Sequence, residues 1–60
     1  MYKVCLVEDD AASRELLSVS FHKCAKIELV GIYATGAEAL NELPKKKPDV
    51  VLMDIKPTHP

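Results

Sequence analysis

The chain has 60 residues, of which 48% are hydrophobic and 28% charged, and its formal net charge is -1. This mix is typical of a globular protein, but a chain of this length buries only about 60% of the surface that its unfolded form exposes, so its core must be small. The charge gives no basic excess for nucleic acid or an anionic lipid surface, and no apolar run approaches the ~20 residues that span a bilayer.

The first half of the sequence predicts a strand, a helix and a second strand. Residues 2–7 form a short apolar run that stops abruptly at acids, which is typical of a buried strand, β1. Asp10 is placed to accept the free N–H groups of a helix, α1, over residues 11–24. The apolar residues that define one face of this helix recur at spacings of four and three: Leu17, Phe21 and Cys24. Residues 27–34 form a second apolar run, predicted as β2.

The second half predicts another helix and a third strand. Thr35 and Glu38 have the spacing of a capping box, which predicts helix α2 over residues 36–43. Pro44 is expected to end this helix because proline lacks the N–H group and clashes with the preceding turn. The apolar face of α2 is predicted to consist of Leu40 and Leu43. Residues 49–54 predict β3, which ends at a carboxylate, and residues 55–60 predict an irregular tail.

The order β-α-β-α-β, with strands apolar on both faces, predicts an α/β fold with a parallel sheet and right-handed crossovers. Cys5 and Cys24 have neither metal-ligand nor Cys-x-x-Cys spacing, so we expect two free, buried thiols. The first residues lack the apolar stretch and cleavage site of a signal peptide, and we therefore expect a cytoplasmic protein.

Acidic residues follow two of the predicted strands. Ligands of an open parallel sheet lie beyond the carboxyl ends of its strands. If β1 and β3 are neighbours, their ends lie ~4.8 Å apart, which would bring Glu8, Asp9 and Asp54 together. Three close carboxylates favour a hard cation such as Mg²⁺, beside which a carboxylate can attack phosphorus. Acids at strand ends are also common as helix caps and solubilising groups.

Three motifs together resemble one known family. They are Val7-Glu8-Asp9-Asp10 after β1, Gly36-Ala37-Glu38-Ala39-Leu40 at the start of α2, and the run from Pro48 to Ile55 around β3. In this order, over about 55 of the 60 residues, they resemble the N-terminal half of a response-regulator receiver domain. The resemblance implies a flavodoxin-like sheet with strand order 2-1-3, so that residues 1–60 form a partial, truncated receiver domain.

The resemblance also implies roles for individual residues. Asp54 matches the phosphoacceptor, which takes a phosphoryl group from a sensor histidine kinase or a phosphotransfer protein. Glu8 and Asp9 match the acidic pair that holds Mg²⁺, and the backbone carbonyl of Lys56 matches a further metal ligand. Asp10 falls outside that pair and is interpreted as the helix cap. The family's β4 hydroxyl and β5 lysine have no counterpart among these residues, so phosphorylation is expected to be impaired.

Two functions therefore remain open. One is a phosphoacceptor module of a two-component phosphorelay that is not itself an enzyme. The alternative is a non-phosphorylated interaction fragment that binds a kinase or receiver partner. A phosphatase with an aspartyl nucleophile usually needs a second acid two residues after Asp54, where Lys56 stands. Without later strands, β3 would be an open edge, which predicts a homodimer through this edge and the α1 face.

Overall fold

The computed structural model describes residues 1–54, and the side chains of residues 1–53. Its elements are β1 (Tyr2–Glu8), α1 (Ala11–His22), β2 (Ile27–Tyr33), α2 (Gly36–Lys46) and β3 (Val50–Asp54). The strands form one parallel sheet in the order β2-β1-β3. The predicted α/β fold with strand order 2-1-3 is therefore confirmed, while the predicted tail over residues 55–60 lies outside the described residues.

The core is built around the central strand. Residues Val4 to Val7 of β1 are buried, and Ala39 of α2 is the one buried residue that the helices contribute within the described range. Helix α1 packs on β1 and β2, whereas α2 packs mainly on β2. Strand β3 packs chiefly against β1 and keeps four partly exposed apolar side chains. Neither helix within residues 1–54 has the length and apolar character to cross a bilayer.

The pairing of β1 with β2 contains an irregularity at Gly31. Val4 pairs with Leu29 and the next residue, Cys5, pairs with Gly31, so β2 carries one extra residue at this point. The hydroxyl of Tyr33 lies 2.5 Å from the position that a Cβ atom on Gly31 would occupy. A side chain at this position would therefore force the Tyr33 ring to move.

Both predicted helix caps are confirmed. The Asp10 carboxylate accepts a hydrogen bond from the Ser13 N–H group at 2.9 Å, and the Thr35 hydroxyl accepts one from the Glu38 N–H group at 3.1 Å. The Glu38 carboxylate accepts from the Ala34 N–H group at 3.0 Å, one residue earlier than in the usual capping box.

The predicted end of α2 at Pro44 is wrong, because the helix continues through the proline to Lys46. Pro44 lacks the N–H group that would donate to the carbonyl of Leu40, but Leu40 is 69% exposed and water can reach that carbonyl. The helix ends instead at Lys47, whose φ of 45° is left-handed and whose N–H group donates to the Leu43 carbonyl at 2.8 Å. Helix α1 ends at His22, two residues earlier than predicted.

Two predicted core positions are also wrong. Leu40 lies on the exposed side of α2, whereas Ala39 is fully buried and the predicted core residue Leu43 is half-buried. Cys24 is exposed because α1 has already ended, although Cys5 is buried as expected. Both thiols are free, as predicted.

Candidate functional site

The carboxyl ends of β1 and β3 lie side by side. Their parallel pairing runs from Val4 with Val50 to Glu8 with Asp54, so the last residues of the two strands are Cα partners. Adjacent strands are ~4.8 Å apart. The predicted neighbourhood of β1 and β3 is therefore confirmed, and we call the end formed by Glu8, Asp9, Asp10 and Asp54 the acidic edge.

Glu8 is a fully buried carboxylate at this edge. Its Oε1 atom accepts a hydrogen bond from the backbone N–H group of Asp10 at 3.0 Å. Burying a charged group is costly unless it is hydrogen-bonded or paired, so a glutamate in this position needs a compensating environment. The bond to Asp10 holds the Glu8 side chain against the turn that leads from β1 into α1.

The next two acids have different environments. Asp9 is exposed in the turn that follows β1. The Asp10 carboxylate accepts the Ser13 N–H group and so lies at the N-terminus of α1, as its interpretation as a cap requires. The three consecutive acids therefore have three different environments: Glu8 is buried, Asp9 is exposed and Asp10 caps α1.

Arg14 contributes a cation that the sequence reasoning missed. Its Nη1 atom donates to the backbone carbonyl of Glu8 at 3.0 Å, and its own N–H group donates to the Asp10 carbonyl at 2.8 Å. The predicted site consisted of acids at the strand ends and the backbone carbonyl of Lys56. The available clue was the position of an arginine in the first turn of a helix that begins directly after a strand.

No three histidine, cysteine, aspartate or glutamate residues are grouped closely enough to hold a metal ion among the described residues. The side chain of Asp54 is not among the described side chains, and Lys56 lies beyond them. The metal-binding roles predicted for Glu8, Asp9, Asp54 and the Lys56 carbonyl therefore stay predictions, as does the phosphoacceptor role of Asp54.

A second polar pair lies on the α2 side of the sheet. Burial raises the pKa of the Cys5 thiol, although the nearby Lys46 ammonium group and the Tyr33 hydroxyl act in the opposite direction. Burial likewise raises the pKa of Tyr33, and the neighbouring Cys5 and Glu42 add to this effect. The Tyr33 hydroxyl lies beside the Cys5 thiol, which is its one polar neighbour of this kind among the described residues and at most a weak hydrogen-bond partner. The Cys5 thiol and the Tyr33 hydroxyl therefore favour their neutral forms, and Cys5 belongs to the buried core.

Comparison with known proteins gives matches among curated sequences only, since no family model and no solved structure matches the chain. A protein-glutamate methylesterase/protein-glutamine glutaminase 1 from Syntrophus aciditrophicus (strain SB) is 44% identical over 55 residues, which cover 92% of this chain and 16% of that protein. The sensory transduction protein LytT of Bacillus anthracis is 36% identical over 56 residues, with 93% of this chain and 23% of that protein covered.

The transcriptional regulatory protein BtsR of Escherichia coli (strain K12) is also 36% identical over 56 residues, with the same coverage of 93% and 23%. The chain therefore spans less than a quarter of the length of these relatives.

Proposed function

We propose that this chain, which is homologous to the receiver domains of response regulators in two-component signalling, is a phosphoacceptor module whose acceptor is Asp54. The observation that carries the proposal is the pairing of Glu8 with Asp54 at the carboxyl ends of neighbouring parallel strands. This end of an open α/β sheet is where ligands bind. The relatives support a receiver module, and the structure supplies the matching sheet.

The proposed donor is the phosphohistidine of a sensor histidine kinase or of a phosphotransfer protein. A carboxylate oxygen of Asp54 forms a bond to phosphorus, and the bond between phosphorus and the imidazole nitrogen breaks. The electron pair of that bond remains on the nitrogen, and the product on this chain is an aspartyl phosphate. The chain receives the group once and is not proposed to be an enzyme.

The oxygen-only donor set of the acidic edge fits Mg²⁺. Glu8 and Asp9 would hold the ion together with Asp54 and the backbone carbonyl of Lys56. When bound, Mg²⁺ would neutralise charge on the phosphoryl oxygens. The chain's own residues prepare this site: the Asp10 N–H group fixes the Glu8 side chain, and Arg14 places a positive charge beside the Glu8 carbonyl.

Two free thiols support a reducing compartment, and we therefore place this function in the cytoplasm.

The proposal is tested by incubating the chain with acetyl phosphate and Mg²⁺ and measuring its intact mass. We expect a slow and partial gain of one phosphoryl group in the wild type, since the family's β4 hydroxyl and β5 lysine have no counterpart among these residues, and no gain in Asp54→Asn. Asp49→Asn is the matched control because Asp49 lies at the other end of β3, where its carboxylate accepts the Lys3 N–H group at 2.8 Å. An unmodified wild type, or a phosphorylated Asp54→Asn variant, contradicts the proposal.

The partly exposed apolar residues of β3 favour a second candidate, a non-phosphorylated module that binds a kinase or receiver partner. Binding of this kind should persist in Asp54→Asn and without Mg²⁺. The phosphoacceptor function, by contrast, requires both the Asp54 carboxylate and Mg²⁺.

A further inference from the structure

Asp49 is joined to β1 by two hydrogen bonds at the amino end of β3. Its N–H group donates to the Lys3 carbonyl at 2.8 Å, and its Oδ2 atom accepts from the Lys3 N–H group at 2.8 Å. The carboxylate thus takes the part of the backbone carbonyl that accepts such an N–H group in a regular parallel ladder. Together the two bonds hold Lys3 beside Asp49, one position before the pairing of Val4 with Val50.

The apolar residues of β1 and β3 do not specify how the two strands are aligned. Residues 4–7 and 50–53 are both uninterrupted apolar runs. If β3 moved along β1 by one residue, it would still present apolar side chains to both faces of the sheet. A tight turn cannot fix the register either, because α1, β2 and α2 separate the two strands in the chain. Groups outside the apolar runs must therefore select the register.

The two neighbours of Asp49 in the sequence cannot form both bonds to Lys3. Pro48 has no N–H group to donate to the Lys3 carbonyl, and Val50 has no side-chain oxygen to accept from the Lys3 N–H group. A displacement of β3 by one residue in either direction would place one of these residues beside Lys3. At least one of the two hydrogen bonds would then be lost, so the pair of bonds distinguishes the observed register from its nearest alternatives.

The same register aligns the acidic edge at the opposite end of the two strands. Glu8 and Asp54 are Cα partners only in this alignment. A displacement by one residue would move β3 by ~3.3 Å along β1 and leave Glu8 beside a residue other than Asp54. Misplacement of reacting groups by about 1 Å can cost about 100-fold in rate. The site chemistry is therefore far more sensitive to the register than the apolar core is.

We propose that Asp49 is a positioning residue for the acidic edge, whose hydrogen bonds to Lys3 select the register that places Asp54 beside Glu8. Asp49 acts through the backbone of β3 from the far end of the strand, and it touches neither the cation nor the phosphoryl group. The consequence for phosphorylation rests on the proposed phosphoacceptor function, whereas the choice of register does not.

Three variants of the full 60-residue chain separate the register from general stability. Asp49→Ala removes the acceptor of the Lys3 N–H group, whereas Asp49→Asn keeps an acceptor oxygen and should behave as the wild type. Thr35→Ala is the matched control, because it also removes one side-chain acceptor of a backbone N–H group, that of Glu38 at the start of α2. Circular dichroism shows whether each variant folds.

Nuclear Overhauser contacts between the backbone protons of β1 and β3 report the register without any metal or phosphoryl donor. Leu6 should contact chiefly its partner Leu52 in the wild type, in Asp49→Asn and in Thr35→Ala. In Asp49→Ala this contact should weaken, and contacts of Leu6 with Val51 or Met53 should strengthen. An unchanged contact pattern in a folded Asp49→Ala variant would overturn the proposal.

A backbone variant tests the same hydrogen bond if Asp49→Ala does not fold. Chemical synthesis with an ester in place of the Lys3 amide removes the N–H donor and leaves the Asp49 carboxylate in place. We expect the same change of register in this variant. Unfolding of both variants would show that the two bonds support the whole fold and would overturn a specific role in the register.

Mg²⁺ titration by calorimetry links the register to the acidic edge. If about nine-tenths of the Asp49→Ala molecules leave the native register, their apparent Mg²⁺ affinity falls about tenfold. Thr35→Ala and Asp49→Asn should bind Mg²⁺ as the wild type does, and an equal loss in Asp49→Ala and Thr35→Ala would overturn the positioning role. A wild type that acetyl phosphate does not modify, together with a changed register in Asp49→Ala, would contradict the phosphoacceptor function and leave the role of Asp49 in the register supported.

Discussion

Glu8 and Asp54 are Cα partners at the carboxyl ends of β1 and β3, which are neighbouring parallel strands. The two acids are far apart in the sequence, and the crossover through β2 and α2 brings their backbones together. Asp9 and Asp10 follow Glu8 directly, so the turn after β1 decides which acid faces the sheet end and which one caps the helix.

We expect replacement of the exposed acid to affect metal binding and to leave the fold intact. Asp9→Ala removes a carboxylate that has no capping role, and it should weaken Mg²⁺ binding by about tenfold, or ~1.4 kcal/mol. Titration with Mg²⁺ by calorimetry measures this change. Equal Mg²⁺ affinity in the wild type and the variant would exclude Asp9 as a ligand.

Replacement of Asp10 should lower the stability of the fold and leave Mg²⁺ binding intact. Asp10→Ala removes the acceptor of the Ser13 N–H group and should lower the free energy of unfolding by about 1 kcal/mol. Urea denaturation followed by circular dichroism gives this value. Stability equal to the wild type, together with lost Mg²⁺ binding, would make Asp10 a ligand instead of a cap.

Gly31 should be intolerant of even a small side chain. A Cβ atom at this position would lie 2.5 Å from the Tyr33 hydroxyl oxygen and 2.8 Å from ring carbons, so Gly31→Ala should cost about 1–3 kcal/mol. Gly36→Ala is the control, since its Cβ atom would meet only the Met53 methyl group at 3.6 Å.

Removing the Tyr33 ring should reduce the destabilisation that Gly31→Ala causes. In a Tyr33→Leu background, Gly31→Ala should be less destabilising than in the wild type, and thermal unfolding of the four proteins forms a double-mutant cycle. Additive effects would show that the tyrosine is not the obstacle.

Stability should fall at alkaline pH because of Cys5. Burial raises the pKa of this thiol in the folded chain above its ordinary value of 9.0. The neutral thiol is therefore favoured in the folded state, and its contribution is fully present below the unfolded pKa and lost as pH rises through the folded one. Urea unfolding between about pH 8 and pH 10 should show a decreasing free energy of unfolding. A Cys5→Ala variant should show a shallower decrease, and an unchanged slope would contradict this assignment.

Much of the fold could be predicted because the local patterns agree with the tertiary structure. The apolar runs that stop at acids located β1 and β3, and the side-chain caps located the starts of both helices. Pro44 misled the prediction because a missing hydrogen bond near the exposed end of a helix can be replaced by water. Leu40 misled it because α2 packs on the sheet through Ala39 and the half-buried Leu43, which leaves the neighbouring Leu40 on the exposed side.

The candidate site was predicted only in part. The three consecutive acids have different environments because Glu8 still belongs to β1 whereas Asp10 caps α1, and the sequence indicated both features. The hydrogen bond from Arg14 to the Glu8 carbonyl depends on how α1 returns over the sheet. No local sequence pattern specifies the angle at which α1 crosses the sheet.

We propose that Glu8, Asp9 and Asp54 share one divalent cation, and NMR spectra recorded with Mn²⁺ in place of Mg²⁺ provide the test. Paramagnetic Mn²⁺ broadens the NMR signals of nearby amide groups. We predict that the amide signals of these three residues lose intensity together, while that of Ile27, at the amino end of β2, stays sharp. Because Glu8 and Asp54 are Cα partners, their amides would broaden together wherever the ion binds near them, so Asp54→Asn decides the question. We predict that the broadening is largely lost in this variant, and broadening equal to that of the wild type would contradict the shared site.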